Sequence, residues 1–388
     1  MSGLSFDPAR CVRSVTKLSE CRACIDLCPV RTLAIAENGL PSFVPRECVE
    51  CGGCLGVCPT EAFSLGSFDA TDFFFGFVAS GRSLLSCRLG LPCITALATE
   101  HLVALALLGR EPLVVDIGHC ATCPYKEPLY GRIVESVEEA NHLLKALESR
   151  RQIRLETVAA EDDRTEPKPE EAGRRAFLKH LSPKGAAEAK REFDALVEKS
   201  DGSRRVHEID LLALARIRQK EIPDKRKILL TALKRTPKPS MYHTVEEGTV
   251  GFLSQKYIET DTCTNCQVCY RICPTGALSS DEKMSRIDFD AMLCLKCRAC
   301  HDACEPGAIR LQPVFEVKEC FEPTQRLLAS FRVLRCDECG ISFSSLRGER
   351  VCPRCRIEED EALDLWGLEV DETGRPIFGS VGKKDEKG

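Results

Sequence analysis

Cys263-x2-Cys266-x2-Cys269-x3-Cys273-Pro274 is followed by Cys294-x2-Cys297-x2-Cys300-x3-Cys304 in a chain of 388 residues and 25 cysteines. Three thiolates at two-residue gaps curl a short loop around one cubane iron–sulfur cluster, while the fourth, expected to enter a helix, is aimed at another. The crossed assignment places Cys263, Cys266, Cys269 and Cys304 around one cluster and Cys273, Cys294, Cys297 and Cys300 around a second. One-electron transfer is the chemistry such a donor set serves.

A second double comb lies near the amino terminus. Cys48-x2-Cys51-Gly52-Gly53-Cys54-x3-Cys58-Pro59 is complete, but its partner reads Cys21-x2-Cys24-x3-Cys28-Pro29, with Leu18 where a first cysteine would stand. Cys11 is the available replacement, since the entropy of closing a loop grows slowly with its length. The expected sets are Cys11, Cys21, Cys24 and Cys58, then Cys28, Cys48, Cys51 and Cys54, giving four 4Fe–4S clusters in all. A three-cysteine site with Cys11 free is the alternative.

These stretches, about residues 8–68 and 254–314, resemble bacterial-type dicluster ferredoxins. The resemblance implies pseudo-symmetric halves of strand, cluster loop and short helix, and cluster separations short enough for tunnelling. Pro29, Pro59 and Pro274 suit the first position of helices after each comb, where Thr60-Glu61-Ala62 and Thr275-Gly276-Ala277 lead on. Glu305 before Pro306 departs from the pattern and predicts a helix start shifted by one residue.

Between the combs, Phe73–Val78 reads as a buried strand, and Ile94, Leu97, Ala98, Leu102, Leu105 and Leu108 recur at helical spacing. Leu113–Ile117 reads as a second strand, Ser136 with Glu139 as a capping box opening a helix lined by Leu143, Leu144 and Leu147, and Arg154–Val158 as a third strand. In a β-α-β-α-β order, loops after parallel strands share the carboxyl edge of the sheet, which brings Cys87, Cys93, Cys120 and Cys123 together. A fifth site, iron–sulfur or zinc, is expected there. Core packing of Cys87 and Cys93, and a redox dithiol at Cys120 and Cys123, are the alternatives; His119 is a candidate extra ligand.

Farther along, Glu161–Glu171 reads as a charged linker, and Gly173–Lys179 as a basic helix start that mimics an export motif at the wrong place in the chain. Helices are expected around Ala189–Val197, Val206–Ile217 and Ile228–Leu233, covering a ferredoxin surface or docking a partner. Cys336-x2-Cys339 and Cys352-x2-Cys355 form two knuckles of a tetrahedral four-thiolate site resembling a zinc ribbon or a rubredoxin, with zinc or a single iron. Cys320 stands alone and reads as a buried small hydrophobe.

The fold class expected is α+β. The division is residues 1–70, a dicluster domain with its first ligand displaced to Cys11; 71–158, a small α/β domain; 159–249, linker and helical insertion; 250–325, a second dicluster domain; 326–370, the ribbon; and 371–388, a disordered tail. A net charge of −5 argues against a nucleic-acid binder, and no apolar run suits a membrane span. Cysteine usage without an export sequence predicts a reducing cytoplasm rather than a disulfide scaffold. No nucleotide fingerprint, phosphate loop or nucleophile–base pair stands out.

The combination looks like the electron-transfer proteins that accompany formate dehydrogenase and other multi-subunit oxidoreductases. A polyferredoxin serving oxidoreductase subunits or carrier proteins is the leading expectation. A redox-sensing or assembly protein that binds a client through the ribbon and the insertion is the second, and an active site at the four central cysteines the third.

Overall fold

The computed structural model describes residues 3–158, 207, 209, 211–217, 219–345, 348–366, 369–370 and 376–377. The linker 161–171, the basic motif 173–179 and the helix expected around 189–197 lie outside the described residues. Two compact units are present: Met1–Ser279 with Asp288–Leu328, and Ser280–Ile287 with Ala329–Gly388.

In the first unit each pair of combs is framed by the same elements. Leu4–Phe6 pairs antiparallel with Phe63–Leu65, Phe6 opposite Phe63, and Ala34–Ile35 pairs with Pro41–Ser42. Later in the chain Lys256–Ile258 pairs with Ile309–Leu311, Ile258 opposite Ile309, and Leu278 pairs with Phe289. Strand partners that are distant in sequence close each pair of loops into one body.

One-turn helices occur at Ala23–Asp26, Gly53–Val57, Val268–Arg271 and Ala299–Asp302. They precede the last cysteine of each comb, so the expectation that this cysteine enters a helix is corrected. Pro29, Pro59 and Pro274 stand second in β-turns closed by Arg31 N–H to Cys28 O at 3.2 Å, Glu61 N–H to Cys58 O at 3.4 Å and Gly276 N–H to Cys273 O at 3.4 Å. Proline's fixed φ serves that turn position as well as a helix start. Phe63–Leu65 and Leu278–Ser279 are strands where helices were expected. Glu305 shifts no helix: it takes the second place of the turn closed by Gly307 N–H to Cys304 O at 2.8 Å.

The segment between the combs holds a parallel sheet in the order Leu84–Leu85, Leu113–Asp116, Ile153–Glu156. Phe73–Val78 is not its first strand but part of the helix Ala70–Ser80. Asp69 caps that helix by accepting from Asp72 N–H at 2.8 Å, Gly81 ends it in the left-handed region, and Phe74 and Phe77 bury one face. A six-residue apolar run fits a strand or a helix equally, and the caps decide. Ser136 opens no helix either; it lies buried within Lys126–Ala146.

The core sits where Thr99–Leu108, covered on one side by Lys126–Ala146, packs against Asp224–Arg235. Leu102, Leu143 and Leu229 are all sealed from water there. The expected helices near 206–217 and 228–233 are realised as Leu211–Ile217 and Asp224–Arg235. Arg226 and Glu100 meet at 3.4 Å inside this interface, Arg226 fully buried and donating also to Phe252 O at 2.6 Å.

The second unit carries a hairpin, Arg332–Arg335 with Ser342–Ser345, followed by the helix Pro353–Trp366 and a short pairing of Glu369–Val370 with Pro376–Ile377.

Candidate metal centres

The three complete combs share a backbone device. Glu50 and Gly52, Asn265 and Gln267, and Lys296 and Arg298 all have φ between 51° and 73°, at the same two places between the first three cysteines. Alternating left-handed residues turn successive N–H groups inward and make a concavity that favours an anion, such as a thiolate-ligated cluster. Arg22, at the matching place in the Cys21 comb, has φ −132°. That comb lacks the device just where it lacks its cysteine: Leu18 is 62% exposed, and Cys11 is 7% exposed on a short turn after Pro8–Arg10.

The charge interactions among thiols run both within the expected crossed sets and between them. Burial pushes the Cys11 thiol up to about 12, with Cys58 and then Cys21 adding repulsion. Cys24 is raised by burial and by Cys58, Cys11 and Cys21. Cys51, pushed up to about 11 by burial, feels Cys93, Cys28 and Cys48, and Cys54 feels Cys51 and Cys48 but also Cys24 and Cys58 of the neighbouring set.

In the later combs Cys263 feels Cys266 and Cys304, while Cys269, pushed up to about 12 by burial, feels Cys300, Cys266 and Cys263. Cys297 and Cys300, both raised by burial, neighbour Cys294 and Cys273. Burial and crowding favour the protonated form of such thiols, so a cluster held by them would displace protons and would supply the positive iron that stabilises thiolates.

Lys256 is 2% exposed and donates to His301 Nε2 at 2.8 Å; its charge works toward the Cys300 thiolate. Burial, then the Lys256 charge, holds His301 down to about 3, so the imidazole is neutral and accepts. Lys225, also buried, donates from Nζ to Cys58 O at 2.5 Å, and Glu61, three residues after Cys58, accepts the Asp224 and Lys225 N–H groups at 2.8 and 2.9 Å. The sequence reading missed these lysines. A charged residue in an otherwise apolar strand or helix face was the available signal.

Cys21 of one comb and Cys297 of another line one cavity of about 440 Å³ in the first unit, with Arg22, Lys225, Lys296 and Arg298 on its walls. On its wall, Glu20 N–H donates to Asp302 Oδ2 at 3.0 Å, tying the loop before Cys21 to the helix Ala299–Asp302.

Among the described residues, Cys336, Cys339, Cys352 and Cys355 are the set whose sulfurs all lie within 4.8 Å of one another, Cys339 and Cys352 at 3.8 Å. A tetrahedron with metal–sulfur bonds of about 2.3 Å has edges of about 3.8 Å, so these thiols fit one metal ion. Cys352 N–H donates to Cys336 Sγ at 3.2 Å. Burial opposes ionisation of Cys336, but the N–H groups of Cys339, Cys352 and Glu338 outweigh it and hold the thiol below its ordinary value. Among the described residues no three comb thiols close to that spacing.

The central cysteines are half-buried at the sheet's carboxyl edge, with Cys120 pushed up to about 11 by burial and by Cys93, Cys87 and Cys123. His119 Nδ1 faces Cys87 Sγ at 3.2 Å. His101, on the helix, is buried and far from any such role: its Nδ1 accepts the Ala98 N–H at 3.1 Å. Cys320 is buried with no cysteine among its charged neighbours.

Among the described residues no helix is long and apolar enough to cross a membrane. No curated protein matches the chain. A family profile described as a 4Fe-4S dicluster domain matches residues 255–305, the stretch from just before Cys263 through Cys304, so this part of the chain carries a ferredoxin-like 4Fe–4S dicluster domain.

Proposed function

We propose that the chain is a polyferredoxin that relays single electrons through four 4Fe–4S clusters, to or from an oxidoreductase partner of the formate-dehydrogenase type. The dicluster domain at 255–305 supports iron–sulfur electron transfer. The observation that carries the four-cluster reading is the cavity shared by Cys21 and Cys297, because it brings a donor of the amino-terminal combs and one of the carboxyl-terminal combs to a single space.

When bound, the clusters supply one-electron storage on thiolate-ligated iron. The chain's own residues do the rest. Left-handed pairs such as Lys296 and Arg298 aim N–H groups at the cluster loop, Lys256 places a buried cation beside Cys300, and the packed helices Thr99–Leu108 and Asp224–Arg235 hold the comb pairs in one unit. Zinc is the metal proposed for Cys336, Cys339, Cys352 and Cys355, whose close tetrahedral spacing suits a closed structural site.

Anaerobic isolation followed by iron, sulfide and zinc analysis tests this reading. The combs account for about sixteen irons and as many sulfides per chain, and the ribbon for about one zinc. Fewer than about twelve irons after reconstitution would sink the relay. Cys11→Ser is expected to cost up to about four irons; an unchanged count would leave Cys11 free and the first set with three ligands.

A further inference from the structure

The four central cysteines sit on loops that the sheet's carboxyl edge brings together. Cys87 follows Leu84–Leu85, Cys93 immediately precedes the turn Ile94–Ala96, and Cys120 and Cys123 follow Leu113–Asp116. Asp116, 2% exposed, braces these loops: one carboxylate oxygen accepts from Ser86 Oγ at 2.8 Å, the other from Gly118 N–H at 2.8 Å and Val158 N–H at 3.2 Å. A side chain at Gly118 would press within 2.9 Å of Val158 O and 3.0 Å of Asp116 Oδ1. A carboxylate that fixes the loops carrying the donors is what metal sites use to orient ligands.

The same region is pressed against a comb. A Cβ on Gly52 would come within 2.6 Å of Ala96 Cβ, and one on Gly56 within 2.8 Å of Leu97 O. The loop of Cys51 and Cys54 therefore lies directly on the turn that follows Cys93, and only glycine permits that approach.

We propose that Cys87, Cys93, Cys120 and Cys123 hold a further iron–sulfur cluster, in contact with the comb loop of Cys51 and Cys54. Four soft thiolates select iron–sulfur or zinc. Spacing chooses between them: the ribbon thiols close to within 4.8 Å, whereas no three of these four do so, which suits a cluster of several irons. His119 faces Cys87 Sγ at 3.2 Å and serves as a hydrogen-bond donor to the thiolate rather than as a ligand. Exchange between the centre on that comb loop and the central one moves one electron; the centre giving it is oxidised by one unit, the centre taking it is reduced by one, and no bond is made or broken. The contact rests on the comb assignment of Cys28, Cys48, Cys51 and Cys54, but the site itself does not.

Full-length protein isolated anaerobically, its Cys120→Ser/Cys123→Ser variant and a Cys320→Ala control are compared for iron, sulfide and zinc and by EPR of the reduced state. The double variant is expected to lose about two irons and two sulfides, or about four of each, and to keep the comb signals, while the control loses none. Equal iron and sulfide in the double variant overturns the proposal, whether zinc is lost instead or the four thiols react as free groups. If the double variant does not fold, Cys87→Ser is read by the same criterion. A low comb count with this difference intact would sink the relay and leave the site standing.

Discussion

The hairpin unit around Cys336, Cys339, Cys352 and Cys355 and the first unit around the combs use the same Cys-x2-Cys spacing on very different supports. In the former, Val333, Ile341, Ile357 and Leu365 are 40%, 61%, 56% and 82% exposed, and among the described residues the buried apolar side chains besides the thiols are Ile287, Ala329 and Phe331. In the latter, Leu102, Val103, Leu143, Leu144 and Leu229 are sealed between helices, and the cysteine loops hang on that core. The comparison teaches that one motif can either make a core or be mounted on one, and that the surrounding apolar packing decides which.

The sharpest way to break this contrast is to remove the metal proposed for the ribbon. Because structural zinc contributes about 10–16 kcal/mol in small domains, a strong chelator or Cys352→Ser should unfold the hairpin unit outright, exposing residues 329–366 to protease while comb iron is retained. Protection of that segment without metal would show a side-chain core after all.

Next in size is the buried pair in the first unit. Arg226→Met removes the buried ion-pair partner of Glu100, and a loss of about 3–5 kcal/mol in denaturant unfolding is expected. Acid should erode the same core in two stages. Burial holds His101 down to about 4, below its ordinary 6.5, so the unfolded chain binds the proton first and stability falls as pH drops from about 6.5 towards 4. Burial raises Glu100, but the charges of Lys225 and Arg226 outweigh it and leave its carboxyl below its ordinary 4.5; that contribution is present above 4.5 and is lost as pH falls through the lowered value. Far-UV circular dichroism across this range, on protein with its clusters retained, checks the sign.

Gly56→Ala should cost about 1–3 kcal/mol, because the added methyl meets the backbone of Thr95 and Leu97 and must push the central segment off the comb. Gly76→Ala, at an exposed helix position with open space, should be neutral or stabilising by up to about 1 kcal/mol. Smallest is Lys256→Met. Loss of a cation beside Cys300 should lower the potential of that cluster by on the order of tens of mV with no change in iron count; an unchanged potential would leave Lys256 a purely structural partner of His301.

Much of the site was legible without coordinates because metal ligation constrains residue type and local spacing together. The later combs, inside the matched stretch 255–305, and the grouping of the four cysteines at 336–355 could be read in this way, and Leu113–Asp116 is the strand expected there. Phe73–Val78 misled because a short apolar run has no period of its own, and Asp69 and Gly81 lie outside it. Ser136 misled because a capping box also occurs by chance inside a long helix. The turns after the combs misled because proline's φ fits a turn and a helix start alike.

Which residues carry thiols, and at what local spacing, was determined by the sequence alone, since a loop of two residues leaves its flanking cysteines few places to go. Distance between segments was decided only by the tertiary structure. Packing of Thr99–Leu108 on Asp224–Arg235, the cavity joining Cys21 to Cys297, and the close approach of Gly52 and Gly56 to Thr95–Leu97 all depend on apolar burial between residues far apart in the chain, which local spacing does not encode.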